Sequence, residues 1–466
     1  MKRTKIVATI SDRRCEVGFL KELHEAGMNV VRLNTAHQTL DEAMKVVRNV
    51  RAVSDKIALL IDTKGPEIRT RMVEVPVRVE KGEMIYMSGN LSATSDKKLV
   101  HVSYENFARD INIGAKILID DGEVELVVRD KKGDMLELVA SNPGDIKDKK
   151  SINVPGVNIH LESLSDKDRI FIEFAIENKL DFIAHSFVRN KEDVIEIQKI
   201  LDEHNSKIKI IAKIENQEGV DHIDEILDHV YGIMVARGDL AIEIDAEKIP
   251  RIQRYIVSKC IESKKPVIVA TQMLHTMIDH PRPTRAEVSD IANAIFSGTD
   301  AIMLSGETAY GDYPVEAVKV MTKVAEANES TTPPDSGRNL VRINNEVTAA
   351  LARVAVRMTT MLPIKAIVVD TLSGRTARYL SAFRAALPVY ARCYDKEVMR
   401  ELALSFGIRP YYTTKPTSRD EFMHDLPHVL QENGYQEGDQ FLVIGGSFGQ
   451  GRGASFLEVF KMPKVD

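Results

Sequence analysis

The chain has 466 residues, 44% hydrophobic and 28% charged, a formal net charge of −6 and a pI near 6.1, so two or three domains are expected and the acidic balance argues against a nucleic-acid or membrane-surface partner. Three scattered cysteines, Cys15, Cys260 and Cys393, form no CxxC pair and predict a reducing compartment without a disulfide frame or zinc site. The apolar stretch near the start is too short for a signal-peptide core and no later run is long enough to span a membrane, so a cytoplasmic protein is expected.

Residues 5–10 (KIVATI), 29–33 (NVVRL) and 57–62 (KIALLID without its lysine) read as strands separated by amphipathic, helix-like segments at 17–26 and 40–53. Runs this rich in Val and Ile suit strands covered on both faces. From residue 72 to about 154 the rhythm changes to alternating strands with turn signals such as Lys81-Gly82, Asp120-Asp121-Gly122 and Asn142-Pro143-Gly144, which predicts a small all-β domain inserted in a loop. Strand–helix alternation then resumes, with strands at 182–187, 209–214, 231–236, 267–271 and 301–304. Three plus five strands make eight, the count of a closed (β/α)8 TIM barrel. A polar stretch at 328–339 reads as a linker. Beyond it, strands at 366–370, 388–390 and 440–444 predict a separate C-terminal α/β domain. The expected division is 1–70 and 155–328 for the barrel, 71–154 for the insert and 339–466 for the last domain.

In such barrels the chemistry sits at the C-terminal ends of the strands. Residues two apart on a strand share a face, so Arg32 pairs with Asn34 on the second strand and Lys213 with Glu215 on the fifth. Asp239 follows the sixth strand. Adjacent strands bring Glu215 and Asp239 close enough to share one cation, and Mg²⁺ prefers one or two carboxylates plus substrate oxygens and water. Gly238 lets backbone amides approach an anion. The third strand runs into Asp62-Thr63-Lys64-Gly65-Pro66-Glu67-Ile68-Arg69-Thr70, where Gly-Pro sets a turn. Arg32, Arg69 and Lys213 thus make three bases around two carboxylates, a constellation suited to phosphoryl transfer. Thr271 and Ser305 close the seventh and eighth strands, and each reads either as a helix cap or as part of a water relay. No P-loop or GxGxxG element opens a Rossmann unit; the glycine-rich run at 445–453 does not. Residues 370–377 (DTLSGRTA) place hydroxyls and amides at a helix start, which suits a phosphate as well as a simple Ser/Thr cap.

These segments resemble pyruvate kinase: 28–37 (MNVVRLNTAH), 62–70 (DTKGPEIRT), 212–220 (AKIENQEGV), 232–244 (GIMVARGDLAIEI), 270–274 (ATQML), 281–295 (PRPTRAEVSDIANAI) and 302–309 (IMLSGETA). The resemblance implies transfer of the phosphoryl group of phosphoenolpyruvate to ADP, giving pyruvate and ATP, in the last step of glycolysis. It implies Glu215 and Asp239 as ligands of Mg²⁺ (or Mn²⁺). Lys213 would stabilise phosphoryl and enolate charge, and Arg32 would contact phosphate. Amides around Gly238 and Asp239 would hold the substrate carboxylate, beside Thr271, with Ser305 in the proton relay. Arg32, His37, Arg69 and Lys150 would bind nucleotide beneath a closing lid, the inserted domain, with Asp121 reaching toward the metal. Asn34, Asp62 and Thr63 match the family's K⁺ ligands, while Ala36 stands where the family has a serine; Glu67 accompanies K⁺ requirement, so K⁺ activation is expected. Ser11-Asp12-Arg13-Arg14 replaces the usual Gly-Pro, which predicts loose preference among nucleoside diphosphates. Thr371, Ser373, Gly374, Arg375 and Thr376 line up with the loop that binds a phosphorylated allosteric effector, and a homotetramer is implied. His185, Ala241 and His275 depart from the pattern without a functional account. Two rival readings stand beside this one: another Mg²⁺-dependent pyruvate or phosphoenolpyruvate barrel enzyme, such as a lyase or aldolase, and a catalytically silent phosphometabolite sensor.

Overall fold

The computed structural model describes residues 2–157, 159, 161–329, 341–446 and 453–464. Eight parallel strands close into a barrel: Lys5–Thr9, Val30–Asn34, Ala58–Asp62, Phe182–His185, Lys209–Ile214, Gly232–Ala236, Val267–Ala270 and Ala301–Leu304. The first strand closes the ring by pairing Lys5 with Ala301 of the last. The alternation of each strand sorts its side chains into two layers. Val7, Val30, Ala58, Leu60, Phe182, Ala184, Ile211, Met234 and Ile268 fill the barrel. Ile6, Val31, Leu59, Ile61, Ile183, Ile210 and Ile233 pack outward against the helices. That double burial is why these strands appear as unbroken apolar runs.

The surrounding helices start on sequence-coded caps. Thr39 with Glu42, Ser165 with Asp168 and Thr284 with Glu287 form reciprocal capping boxes, which satisfy backbone donors that the first turn leaves open. The helix Arg285–Ser297 ends on Gly298 at φ 88°, a conformation glycine adopts without a Cβ penalty.

The insert forms a second, smaller closed barrel of seven strands, with a separate two-stranded ribbon, Val77–Val79 and Gly144–Ile146. Its first strand is Ile68–Arg71, which pairs with Ser151–Asn153, so the change of domain comes before residue 71 and Arg69 belongs to the small barrel. The C-terminal unit is a five-stranded sheet in the order Ile408–Tyr412, Val389–Cys393, Ile364–Thr371, Gln440–Gly446, Ala454–Lys461, the last strand antiparallel. Sequence periodicity gives only the three central strands. The other two are edges: one carries Pro410, which an edge tolerates because no ladder N–H is needed. Most of the glycine-rich run at 445–453 lies outside the described residues.

The C-terminal unit seats on the N-terminal face of the large barrel, where Ala403 and Leu404 join the barrel's inner cluster. It therefore lies at the opposite end from the strand termini that carry the candidate chemistry.

Candidate active site

The strand ends bring four predicted residues into direct contact. The Arg32 Nε donates to Asp62 Oδ2 at 2.6 Å and its Nη1 to Thr9 Oγ1 at 2.9 Å. The Lys213 ammonium lies 3.0 Å from Asp62 Oδ1 and 3.0 Å from Glu215 Oε1, and donates to Ser186 Oγ at 2.7 Å. All four charged groups are buried. A buried charge persists only when paired and hydrogen-bonded, and this chain alternates base and acid: Arg32, Asp62, Lys213, Glu215.

The electrostatics follow from that order. Burial works against the Lys213 ammonium, but Asp62 and Glu215 outweigh it and hold its pKa above the ordinary lysine value. Burial would also raise Asp62, yet Arg32 and Lys213 keep its carboxyl below the usual range. Glu215 goes the other way: burial pushes it up, the Asp239 and Asp62 charges add to that, and Lys213 only partly opposes them. Glu215 Oε2 accepts from the Phe187 N–H at 2.7 Å, while Oε1 is buried with no hydrogen-bond donor and only the Lys213 ion pair beside it.

That half-open carboxylate is the observation that tests a metal. Two carboxylates repelling each other, one with a buried unfilled oxygen, fit a hard divalent cation. Among the described residues no cluster of three or more His, Cys, Asp or Glu is placed to hold a metal. Glu215 and Asp239 would then be the only protein carboxylates on the ion, leaving the remaining positions to substrate and water. Asn34 and Asp62 are register partners on neighbouring strands, with Thr63 following, and their amide, carboxylate and carbonyl oxygens are the donor type a monovalent cation takes.

Thr271 follows the seventh strand at φ 69°, and Gln272 comes next at 53°. A β-branched residue at positive φ is a steric outlier that needs outside support. Here Gly238 N–H donates to Thr271 Oγ1 at 2.8 Å, and Arg237 donates to the Thr271 carbonyl at 2.6 Å while it grips Asp290 through both oxygens. Asp239 sits in the same short helix, Arg237–Glu243. Ser305 follows the eighth strand, and its N–H donates to Glu307 Oε2 at 2.7 Å. Glu307 Oε1 accepts from Leu274 N at 3.1 Å, which ties the seventh and eighth strand ends together.

The remaining candidates are placed apart from this cluster. Arg69 pairs with Glu67 at 2.6 Å and donates to the Lys149 carbonyl, so two bases rather than three touch the buried acids. Lys150 pairs with Asp120 at 2.9 Å on the small barrel, and Asp121 accepts from Ser151. His37 is exposed, as are His275 and Ala241. Thr371 ends its strand and is buried; Gly374, at φ 73°, precedes the helix Arg375–Ala382, which has no side-chain cap. Ser373, Arg375 and Thr376 flank that uncapped start. His185 is fully buried with both ring nitrogens unpartnered, and burial pushes its pKa down to about 4 against the pull of Asp193, Asp168 and Glu196.

Sequence patterns passed over Ser186, Phe187, Glu307 and Thr9. Ser186 hydrogen-bonds to Lys213, and its hydroxyl donates to the Thr63 carbonyl at 2.6 Å. Phe187 acts through its backbone.

Residues 1–318 match the protein family described as "Pyruvate kinase, barrel domain", and residues 349–460 match "Pyruvate kinase, alpha/beta domain". A pyruvate kinase of Borreliella burgdorferi is 47% identical over 464 residues, covering 98% of this chain and 97% of the relative. One from Bacillus licheniformis is 42% identical, covering 100% and 81%. The crystal structure of a pyruvate kinase from Cryptosporidium parvum superposes with a TM-score of 0.94 at 34% identity, covering 99% of this chain and 96% of that one.

Proposed function

The chain belongs to the pyruvate kinase family, and from that premise we propose roles for the residues at its barrel mouth. The activity is transfer of the phosphoryl group of phosphoenolpyruvate to ADP, giving pyruvate and ATP. The observation that carries the assignment is the buried Lys213 ammonium, held at 3.0 Å from both Asp62 and Glu215.

Lys213 is already paid for by two acids, so it faces an incoming phosphoryl group as a fixed charge that needs no reorganisation. Arg32, fixed by Asp62 and Thr9, supplies a second positive group for phosphate. The amides around Gly238 and Asp239 hold the substrate carboxylate, and the strained Thr271 backbone sets its hydroxyl beside them. Ser305 would belong to the water relay that brings a proton to the enolate carbon. Glu215 and Asp239 would hold a Mg²⁺ or Mn²⁺ ion, which when bound neutralises phosphate charge. Asn34, Asp62 and Thr63 would hold K⁺. Arg32, His37, Arg69 and Lys150 serve the nucleotide, with the small barrel as a lid that excludes water and strengthens every charge interaction beneath it.

Luminescent detection of ATP from the purified protein with phosphoenolpyruvate, ADP, Mg²⁺ and K⁺ tests this reading. ATP is expected in step with pyruvate, with less formed when a tetraalkylammonium salt replaces K⁺. No ATP, with phosphoenolpyruvate consumed only when a carbonyl co-substrate is added, would favour a lyase or aldolase, and phosphoenolpyruvate binding without any turnover would favour a sensor.

The uncapped turn at 371–376 is proposed to take the phosphate of an allosteric effector. No helix is long and apolar enough to cross a membrane among the described residues, and a cytoplasmic homotetramer is proposed. Exposed Val347 and Val354 lie two turns apart on the helix Glu346–Met358, with Met361 beyond it, an apolar row that self-association would cover. Titration of sugar phosphates and AMP is expected to shift half-saturation by phosphoenolpyruvate, with light scattering giving the mass of four chains. No shift with any of them counts against the effector site, and a monomer mass against the assembly.

A further inference from the structure

The chain leaves the large barrel through residues 63–67 and returns through a stretch whose described residues include 154–157, 159 and 161–163, and both crossings are fastened to one short loop, residues 186–189. On the outgoing side, Ser186 N–H donates to Thr63 Oγ1 at 3.0 Å and its hydroxyl to the Thr63 carbonyl at 2.6 Å. Gly65, at φ 71°, presses so close that a Cβ would lie 2.8 Å from both Ser186 Cβ and the Phe187 ring. On the returning side, Arg189 Nη1 donates to the Ile159 carbonyl at 3.1 Å and Nη2 to the Leu161 carbonyl at 3.0 Å. The same guanidinium grips Asp193 through Nε at 3.0 Å and Nη2 at 2.9 Å.

The inner end of the loop belongs to the catalytic cluster. Ser186 Oγ accepts from Lys213, and Phe187, held at φ 55°, aims its N–H at Glu215. Little slack separates the two ends: the Val188 carbonyl lies 2.5 Å from where a Cβ on Gly219 would sit, in the short helix Gln217–Asp221 that follows Glu215. Between the crossings lies a cavity of about 130 Å³, lined by Pro66, Val154, Val157, Phe187, Arg189 and Glu243 among others. Ile159 and Leu161, whose carbonyls take the two Arg189 bonds, line it as well.

We propose that Arg189 is a positioning residue for phosphoryl transfer. It bolts the returning crossing to the loop that sets Lys213 and Glu215, so the pose of the small barrel and the geometry of the reacting site change together. The plainer reading is an ordinary i,i+4 ion pair supporting the helix Lys191–Glu203. That reading explains the Asp193 contacts and leaves the two carbonyl bonds without a purpose. The kinetic part of the proposal rests on the site reading above; the hinge part does not.

Two variants separate these readings. Arg189→Lys keeps a charge near Asp193 but lacks the planar fork that reaches two carbonyls and a carboxylate at once. It is expected to speed amide exchange in residues 154–163 and to lower kcat, each about tenfold, the size expected for losing a hydrogen bond from a charged group. The KM for phosphoenolpyruvate stays within about twofold, since Arg189 is not assigned a substrate contact. Asp193→Asn removes the ion pair and leaves the carbonyl bonds, so it lowers the melting temperature with kcat unchanged. Exchange measured by mass spectrometry reads the hinge whatever reaction the protein catalyses. Unchanged exchange in Arg189→Lys, faster exchange with unchanged kcat, or an equal loss of kcat in Asp193→Asn would each overturn the proposal.

Discussion

Lys213→Met is expected to lower kcat by about 10³-fold or more, the range seen when one preorganised positive group or donor is removed from a phosphoryl- or acyl-transfer site. The methionine side chain has nearly the same length and shape, so packing around Ser186 and the strand end changes little. What disappears is the charge that Asp62 and Glu215 hold at 3.0 Å. Asp62 keeps its bond to Arg32 at 2.6 Å and stays ionised. Glu215 loses the Lys213 charge that opposes the shift, and burial and Asp239 push it further up. Substrate affinity is expected to fall less than about tenfold, because Arg32 and the backbone amides proposed to hold the anion are unchanged. Calorimetric titration of phosphoenolpyruvate with Mn²⁺ present, alongside steady-state kinetics, separates the two effects. Turnover near that of the unaltered protein would remove Lys213 from the mechanism; loss of binding in parallel with turnover would make it a binding residue only.

How much of this site was legible in the sequence depends on where each residue lies. A strand buried on both faces appears as an apolar run, so a charged residue at its end stands out. Arg32, Asp62, Lys213 and Glu215 were visible for that reason, and the eight runs gave the barrel itself. Loop residues carry no such contrast. Phe187 contributes a backbone N–H from a left-handed conformation, which no side-chain pattern encodes, and Ser186 is an unremarkable serine until the fold sets it beside Lys213. The Lys150 contact depended on the hairpin turn at Asp120 and Asp121, both at positive φ, where Asp120 takes Lys150 and Asp121 takes Ser151. His185 stood out as an oddity in the sequence and remains one in the structure: a buried ring with two unpartnered nitrogens that nothing in the structure explains.

Long-range ion pairs were the least legible, and one of them carries the largest expected effect on stability. Asp300 and Arg384 are 84 residues apart and join the N-terminal face of the large barrel to the C-terminal unit. Arg384 donates to Asp300 Oδ1 at 2.9 Å and to Oδ2 at 3.2 Å, and also to the Gly298 carbonyl. Asp300 further accepts from Val267 N, Phe406 N and the Ser381 hydroxyl. Both side chains are nearly inaccessible, at 7% and 6% exposure, so water cannot replace a lost partner. Arg384→Met therefore leaves a buried carboxylate with dipoles but no opposing charge at that contact, and is expected to cost about 3–5 kcal/mol. The cost should be seen as an earlier unfolding transition in urea, followed by C-terminal-domain probes, since a chain of this architecture need not unfold in one step. Adding Asp300→Asn to Arg384→Met removes the stranded charge and is expected to recover a good part of the loss, which marks it as a desolvation penalty rather than lost packing over the Phe406 ring, 4.7 Å from the guanidinium. A single variant within about 1 kcal/mol of the unaltered protein would show that the backbone and hydroxyl donors hold Asp300 on their own. No recovery in the double variant would assign the loss to packing and the cation–π contact instead.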